Sequence, residues 1–302
     1  MRECSCGKRF QPNRRGHLFC SRKCQTADRV DKPDLRSRTH LVIPDTQARA
    51  GVPNDHLQWI GQYIVERYEG DDDLVVVHLG DHWDMPSLSS YDRGKKAMEG
   101  RRYVEDIEAG NRAWQLLTDP IREAMERSDW KPDLHFLLGN HEDRITRAAE
   151  SDAQLDGLLS LDQLAASQDE DWTVHDFLEP VTIDGVVYAH YFYNPMTGRP
   201  YAGENIQLRL KTLGHSFTMG HQQTMQIGMR YVNGVQQLGL VAGACYQHDE
   251  DYKGPQANAH WRGIIVKHNV ENGSYDPMVI KLDYLCRRFE GHRLVDHVGR
   301  EL

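Results

Sequence analysis

The chain has 302 residues, of which 39% are hydrophobic and 27% are charged, and its formal net charge is −9. This composition excludes a disordered or fibrous protein, and the length allows two domains or one large α/β domain with a small appendage. No apolar run reaches the length of about 18 residues that a membrane helix needs, and residues 1–10 lack the apolar segment of a secretory signal. We therefore expect a cytoplasmic protein with no membrane partner.

The charge is divided unevenly along the chain. Residues 1–40 contain eleven Lys or Arg and four acidic residues, a net of +7, whereas the other 262 residues carry a net of −16. The negative average argues against a nucleic-acid partner. The basic first forty residues favour one, because Lys and Arg side chains neutralise phosphate groups. A solvated basic tail is the alternative interpretation.

Four of the six cysteines lie within this basic segment. They form two close pairs separated by thirteen residues: Cys4, Cys6, Cys20 and Cys24. Close pairs around a short loop are typical of a structural zinc site, and the segment resembles small zinc-ribbon and treble-clef knuckles. We predict a knuckle over residues 1–27 that holds one structural Zn²⁺. His17 as a ligand, disulfides and free thiols are the alternatives.

A predicted linker follows the knuckle. Residues 28–39 are polar and non-periodic and contain Pro33, which is typical of a connecting segment. The remaining cysteines, Cys245 and Cys286, are isolated in the sequence. We interpret them as ordinary, partly buried residues and not as ligands.

Strands and helices alternate in the first half of the body. Three apolar runs predict buried parallel strands, at residues 40–44, 73–79 and 133–138. Residues 55–68 have helical spacing, and residues 99–127 predict a long helix that is bent or broken near Pro120. This order predicts a mainly parallel sheet covered by helices.

The second half predicts antiparallel hairpins. Asp184-Gly185 and Asn233-Gly234 are hairpin turn signals, and each lies between two apolar runs. Residues 262–269 and 278–282 predict a third hairpin. The predicted fold class is therefore α/β, with a parallel first half and a more antiparallel second half.

Five groups of polar residues lie just after predicted strands. They are Asp45-Thr46-Gln47, Gly80-Asp81-His82-Trp83-Asp84, Gly139-Asn140-His141-Glu142, His190 and Gly220-His221-Gln222-Gln223. Ligands of α/β folds bind beyond the carboxyl ends of strands. Each group alone also fits a turn, a helix cap or a core histidine. Five in this order are hard to reach by chance, so we predict that they form one site.

In these motifs the chain resembles the calcineurin-like metallophosphoesterases. The signature of that family is Asp-x-His, Gly-Asp-x-x-Asp, Gly-Asn-His-Asp/Glu, a lone His and Gly-His-x-His, and the resemblance covers about residues 40–285. It implies a four-layer fold, a sandwich of two β-sheets flanked by helices, over residues 40–302. It also implies two divalent metal ions, which would activate a hydroxide for the hydrolysis of phosphomonoesters or phosphodiesters.

The resemblance implies that Asp81 bridges the two metal ions. The implied ligands of both ions together are Asp45, Gln47, Asp81, Asn140, His190, His221 and Gln223. Gln47 and Gln223 replace histidines of the family motifs, and both fall on the first metal site, beside Asp45. Oxygen ligands favour hard cations, so we expect Mn²⁺, with Mg²⁺, Fe or Zn²⁺ as alternatives. The rival expectation is a first site too weak to fill, which would leave a one-metal or impaired enzyme.

The resemblance also assigns catalytic roles. His141 would lie near the leaving-group oxygen as a proton donor, and Asp84 would orient it. Candidate substrate contacts are Lys95, Lys96, Arg144 and His248. A solvated loop is the alternative for the two lysines, and a cap on carboxylates is the alternative for Arg144.

Three functions remain open from the sequence. The first is a phosphodiesterase or nuclease that acts on nucleic acid, and the basic knuckle segment favours it. The second is a phosphomonoesterase that acts on a nucleotide or a phosphoprotein. The third is a binding protein whose metal site is degenerate. The fold alone does not choose between the first two.

Overall fold

The computed structural model of the chain describes residues 1–3, 8–11, 37–250, 258 and 260–299. Two compact units are present, Met1–Ser37 and Arg38–Leu302. In the described part of the first unit, two short antiparallel strands pair residues 2 and 3 with residues 10 and 9. The four predicted zinc ligands lie outside the described residues: Cys4, Cys6, Cys20 and Cys24.

Fifteen strands and six α-helices form within the described residues. The strands are β1 (Arg2–Glu3), β2 (Arg9–Phe10), β3 (Arg38–Ile43), β4 (Leu74–His78), β5 (Asp133–Leu137), β6 (Thr173–His175), β7 (Val181–Ile183), β8 (Val186–Ala189), β9 (Tyr193–Asn194), β10 (Arg199–Pro200), β11 (Phe217–Met219), β12 (Met225–Val232), β13 (Val235–Ala242), β14 (Gly263–Glu271) and β15 (Ser274–Lys281). The helices are α1 (His56–Tyr68), α2 (Tyr103–Ser128), α3 (Asp143–Ser151), α4 (Ile206–Leu213), α5 (Leu282–Phe289) and α6 (Leu294–Val298). Among the helices in these ranges, none has the length and apolar character that crossing a membrane requires.

Two mixed sheets and the antiparallel pair β9-β10 form in the described part of the second unit. The first has the order β15-β14-β3-β4-β5-β6, with β3 to β6 parallel and β14 and β15 antiparallel. The second has the order β12-β13-β11-β8-β7, in which β11 runs parallel to both β8 and β13. The fold class is α/β with mixed sheets and several helices. The predicted parallel strands and all three predicted hairpins are confirmed.

The alternation of side chains along β3 explains how the first sheet is covered on both faces. Leu41 and Ile43 pack in a hydrophobic cluster with residues of α1, α2 and α5. Val42, between them, packs instead with Tyr188 and Leu240 of the second sheet. Successive side chains of a strand point to opposite faces, so one strand serves two cores. The shared core between the sheets is compatible with a sandwich.

The sequence predicts a helix that is bent or broken near Pro120. Helix α2 continues through this residue, so no break forms, and the helix begins at residue 103 and not at residue 99. Proline removes one backbone hydrogen bond from a helix interior. Buried side chains on both sides of Pro120, including Trp114 and Ile121, anchor the helix to the core. Its contact with α1 is close, since a Cβ on Gly61 would lie 2.4 Å from the carbonyl oxygen of Leu117. Burial of this face outweighs the lost hydrogen bond.

Candidate metal centre

The five predicted motifs lie at the carboxyl ends of strands in both sheets. Asp45 follows β3, Asp81 follows β4 and Asn140 follows β5 in the first sheet. His190 comes directly after β8, and His221 follows β11 in the second sheet. Because β3, β4 and β5 are parallel to one another, as are β8 and β11, these ends present their polar side chains together.

Asp81, His190 and His221 form the centre of the cluster. Each offers one ligand atom, and these atoms all lie within 4.8 Å of one another. His190 Nε2 lies 3.3 Å from Asp81 Oδ2 and 3.0 Å from Asn140 Oδ1. His190 Nδ1 donates a hydrogen bond to the carbonyl oxygen of Leu79 at 2.8 Å, which directs Nε2 into the cluster. Metal-binding histidines are oriented in this way by a partner on their other nitrogen.

Asp45 and Gln47 add two buried oxygen atoms that lack a hydrogen-bond partner among the described residues. These atoms are Asp45 Oδ2 and Gln47 Oε1. The other carboxylate oxygen of Asp45 accepts a hydrogen bond from the backbone N–H of His221 at 2.9 Å. Buried polar atoms are normally paired, and a metal ion is one group that pairs them. The donor set therefore fits a divalent cation.

The electrostatics of the cluster favour positive charge. Burial and the nearby Asp81 raise the pKa of Asp45 to about 7. Burial by itself would lower the pKa of His190, but Asp81 and Asp45 raise it to about 9. Burial and the neighbouring His190 lower the pKa of His221 to about 4, so the His221 ring is neutral and can serve as a metal ligand. The negative field that holds a proton on His190 would attract a metal ion to the same place.

Glycines at two positions leave room for the two carboxylates. A Cβ on Gly139 would lie 2.2 Å from Asp81 Oδ1, and a Cβ on Gly220 would lie 2.4 Å from Asp45 Oδ1. Real Cβ atoms do not approach oxygen so closely, because such distances lie far inside van der Waals contact. The glycine of each motif is thus required by a close approach of a carboxylate to the backbone.

Glu142 holds the loop that carries Asp81. Its fully buried carboxylate accepts hydrogen bonds from the backbone N–H groups of Asp81 at 3.0 Å, His82 at 2.7 Å and Trp83 at 2.9 Å. It also accepts one from Gly139 at 2.8 Å. No role for Glu142 was predicted, although its place in the Gly-Asn-His-Glu motif is a usable signal. One carboxylate thus fixes the loops after β4 and β5 together.

A buried hydrogen-bonded chain joins the loop after β3 to the loop after β4. Thr46 Oγ1 lies 3.2 Å from His78 Nε2 and 2.8 Å from His82 Nδ1, and His82 Nε2 lies 3.1 Å from the carbonyl oxygen of Gly110. Burial lowers the pKa of His82 to about 3 and that of His78 well below its usual value. Both rings are therefore neutral. His78 donates to Thr46, and Thr46 donates to His82, which donates to Gly110.

His141 lies between Asp84 and Arg144. Its Nδ1 is 3.0 Å from Asp84 Oδ1, and its Nε2 is 2.9 Å from Arg144 Nη2 and 3.7 Å from Asp81 Oδ2. Arg49 donates to Asp84 Oδ2 at 3.0 Å. Burial by itself lowers the pKa of His141, but Asp81 and Asp84 raise it above its usual value. The structure therefore places Asp84 where it can orient His141.

A cavity of about 510 Å³ opens beside His141. Among its lining residues are the predicted contacts Lys95 and Arg144, together with Arg49, which the sequence did not indicate. The other two predicted contacts are not among those residues. Lys96 is exposed in a short 3₁₀ turn, and His248 is buried with its ring stacked on Tyr246 at 4.7 Å between centroids.

Gln223 is tied into the protein by its amide oxygen, which accepts a hydrogen bond from the Tyr246 hydroxyl at 3.0 Å. Its backbone adopts a positive φ of 58°, as do those of Gln47 at 41°, Asp81 at 50° and His221 at 66°. Residues other than glycine seldom adopt this conformation, and such strain concentrates at functional sites. Four of the predicted ligands share it, which supports a preorganised site.

A neighbouring group of possible ligands is already neutralised by the protein. Asp84, His248 and Glu250 also place ligand atoms within 4.8 Å of one another. The guanidinium of Arg49, however, lies 3.0 Å from Asp84 Oδ2 and 3.5 Å from Glu250 Oε2. This group therefore already contains a cation from the chain itself.

The comparisons with known proteins do not identify a family for this chain. A scan against protein-family models and a search of the curated proteins give no match to this chain. What the chain offers is a buried cluster of carboxylates and histidines that can hold a metal ion. Beside it lies a cavity lined by several arginine and lysine side chains.

Proposed function

We propose that this chain is a metallophosphoesterase that hydrolyses phosphate esters with two divalent metal ions. The observation that carries the proposal is the meeting of Asp81, His190 and His221. Asp45 is joined to this cluster by the backbone N–H of His221, and its other carboxylate oxygen lacks a partner among the described residues. The order of these motifs along the chain is that of the calcineurin-like metallophosphoesterases. Two sheets with a shared core and helices packed on their outer faces are compatible with the four-layer fold of that family.

The side chains divide into two ligand sets that share Asp81. In this proposal the first ion is held by Asp45, Gln47 and Asp81, with Gln223 as a further oxygen donor. The second ion is held by Asp81 together with Asn140, His190 and His221. When bound, the ions would activate a water molecule for attack on phosphorus and neutralise the phosphate oxygens.

His141 is the proposed proton donor to the leaving-group oxygen. In this proposal Asp84, whose Oδ1 lies 3.0 Å from Nδ1, keeps the hydrogen of His141 on that nitrogen, which leaves Nε2 to carry the transferable proton. Arg144 now donates to Nε2, and it also donates to the carbonyl oxygens of Asp84 and Met85. We propose that the substrate phosphate draws the guanidinium of Arg144 to itself, which frees Nε2 for the proton.

Nucleic acid is the proposed substrate class. The net charge of +7 in residues 1–40 supports it, because the Lys and Arg side chains of that segment can neutralise the phosphates of an anionic polymer. The cavity of about 510 Å³ with Lys95 and Arg144 on its wall is consistent with it. The same cavity favours a second candidate, a phosphomonoesterase that acts on free nucleotides. The intact metal-ligand cluster argues against a degenerate binding protein.

Hydrolysis assays with Mn²⁺ test the proposal. The full chain is assayed on bis(p-nitrophenyl) phosphate, p-nitrophenyl phosphate, and single-stranded and duplex DNA, with a chelator as the blank. We expect diester hydrolysis that needs the metal. A further variant replaces four basic knuckle residues by Gln: Arg14, Arg15, Arg22 and Lys23. It should cleave DNA about 10-fold or more slowly and hydrolyse bis(p-nitrophenyl) phosphate at an unchanged rate. If the chain hydrolyses the monoester in preference to the diesters, and these replacements do not change the rate, the result would indicate the phosphomonoesterase.

Gln47→His is expected to tighten the first metal site. The buried Gln47 Oε1 has no other partner among the described residues, so an imidazole there would add a nitrogen donor to an oxygen-rich set. We expect about a 10-fold gain in affinity for Zn²⁺ and a smaller gain for Mn²⁺, measured by calorimetric titration. Gln58→His, on the exposed face of α1, is the matched control. Unchanged affinity and rate in Gln47→His would remove Gln47 from the ligand set.

A further inference from the structure

A second cluster of metal-ligand side chains lies near the end of the chain and shares no residue with the candidate metal centre. Cys286 belongs to α5, His297 belongs to α6, and His292 lies in the loop between them. The Cys286 Sγ and one nitrogen of each ring lie within 4.8 Å of one another. Cys286 was predicted to be an ordinary, partly buried residue; it is fully buried, and the fold brings two histidines to it.

Hydrogen bonds determine which nitrogen of each ring faces its neighbour without hydrogen. His292 Nδ1 lies 2.9 Å from the carbonyl oxygen of Glu290, and His297 Nε2 lies 2.5 Å from Asp55 Oδ2. Both partners are acceptors, so both of these nitrogens carry hydrogen. A neutral imidazole carries only one N–H. When both rings are neutral, His292 Nε2 and His297 Nδ1 present lone pairs to each other, at a distance of 3.1 Å.

Two facing lone pairs repel unless a proton or a metal ion lies between them. Two Zn–N bonds of about 2.0 Å at a tetrahedral angle place their nitrogens about 3.3 Å apart, close to the distance seen here. A shared proton would involve the two rings only. A metal ion would also use the adjacent thiol of Cys286 as a thiolate ligand.

The surroundings match those of a metal-bound histidine pair. Each ring donates its outer N–H to an acceptor, which is the Asp55 carboxylate for His297 and a backbone carbonyl for His292. The His297 ring also packs edge-on against Trp59, with 5.2 Å between ring centroids. Trp59 Nε1 in turn donates to Glu290 Oε1 at 2.8 Å. The two rings are thus oriented by contacts from α1 and from the end of α5.

We propose that Cys286, His292 and His297 bind one Zn²⁺ ion. A donor set of one sulfur and two nitrogens selects a borderline-soft cation, in contrast to the oxygen-rich first site of the candidate metal centre. The exposed side of His292 leaves the fourth position to a water molecule. The ion would join α6 to α5 and, through Asp55, to the start of α1. The proposal gives the ion this linking role, which does not depend on the proposed hydrolytic function.

Native mass spectrometry of the full chain tests this site directly. Protein stripped of metal is titrated with Zn²⁺, and the bound ions are counted for the wild type, His292→Gln and the control His268→Gln. We expect His292→Gln to bind one ion fewer than the wild type and His268→Gln to bind the same number. Ions at other sites of the chain are common to all three proteins and cancel. His292 is exposed, so its replacement leaves the fold intact.

Two further measurements make the result decisive. Asp55→Asn should weaken this Zn²⁺ site by about 10-fold to 100-fold, because it removes the carboxylate that orients His297. Zn²⁺ should raise the thermal unfolding temperature of the stripped wild type by more than that of His292→Gln. Equal ion counts and equal thermal shifts in the wild type and His292→Gln would overturn the proposal and indicate a proton shared between the rings.

Discussion

Asp81→Asn is expected to lower the Mn²⁺-dependent hydrolysis of bis(p-nitrophenyl) phosphate by about 10³-fold or more. The amide keeps the shape of the side chain and can still accept the hydrogen bond that Asp81 Oδ1 receives from the backbone of His141 at 2.9 Å. It carries no charge, however, and so cannot offset the repulsion between two cations. The rate is measured together with the number of Mn²⁺ ions bound per chain.

The thermal stability of the same variant separates loss of function from loss of fold. In the metal-free protein, burial and Asp81 raise the pKa of Asp45, whereas Asp81 also favours the positive charge of His190. Asp81→Asn removes both effects, so without metal we expect it to remain folded and to unfold at or somewhat below the temperature of the wild type, and it should lose the rise that Mn²⁺ produces in the wild type. Asp129→Asn, on an exposed helix end, is the control. A rate within tenfold of the wild type would exclude Asp81 as a bridging ligand.

Gly139→Ala is expected to abolish metal binding and to lower the free energy of unfolding by about 1–3 kcal/mol. The new Cβ would lie 2.2 Å from Asp81 Oδ1 and 2.4 Å from the backbone nitrogen of Asp81, so the loop after β4 must move. That movement would also break the hydrogen bonds by which Glu142 fixes the loop. Metal binding is measured by calorimetry, and stability is measured by urea unfolding.

Two other glycines show whether the effect is local. In Gly220→Ala the new Cβ would clash with Asp45 Oδ1, so we expect lower metal affinity at the first site and unchanged affinity at the second. Gly51→Ala has no atom within 4 Å of the new Cβ but adopts a φ of +80°, so it measures backbone strain alone, about 1–2 kcal/mol. Equal metal affinity in Gly139→Ala and Gly51→Ala would show that the close approach at Gly139 does not shape the site.

The chain combines metal-ligand groups of different chemistry. The proposed first site of the candidate metal centre is rich in oxygen donors, whereas Cys286, His292 and His297 supply sulfur and nitrogen. These donor types prefer different cations, so one metal mixture should fill them selectively. Metal analysis of the purified full chain should therefore detect Zn²⁺ beside the ions that support hydrolysis.

Local patterns in the sequence determined much of the fold. Continuous apolar runs predicted β3, β4 and β5, because parallel strands buried on both faces need such runs. Asp184-Gly185 and Asn233-Gly234 predicted two hairpins, and all four residues adopt the positive φ that such turns require. The third hairpin was predicted without its turn, Asn272-Gly273, which has the same geometry. Each of these signals is contained within a few adjacent residues.

The order of the polar motifs along the chain also indicated the candidate metal centre. The strand that precedes each motif could be recognised locally, and the carboxyl ends of parallel strands are where α/β folds place their ligands. The sequence therefore predicted which residues would be near one another. It did not indicate which atoms would be left without partners among the described residues, such as Asp45 Oδ2 and Gln47 Oε1.

Only the tertiary structure decided the contacts between distant segments. The backbone of His221 donates to Asp45 from 176 residues away, and His297 donates to Asp55 from 242 residues away. Arg49 takes its position from such contacts, with Asp84 and Glu250, so no spacing along the chain revealed it. Tertiary contacts also explain why helix α2 continues through Pro120. Its packing against α1 outweighs the backbone hydrogen bond that the proline removes. Secondary structure follows from neighbouring residues, whereas metal sites and their supports depend on how separate elements pack.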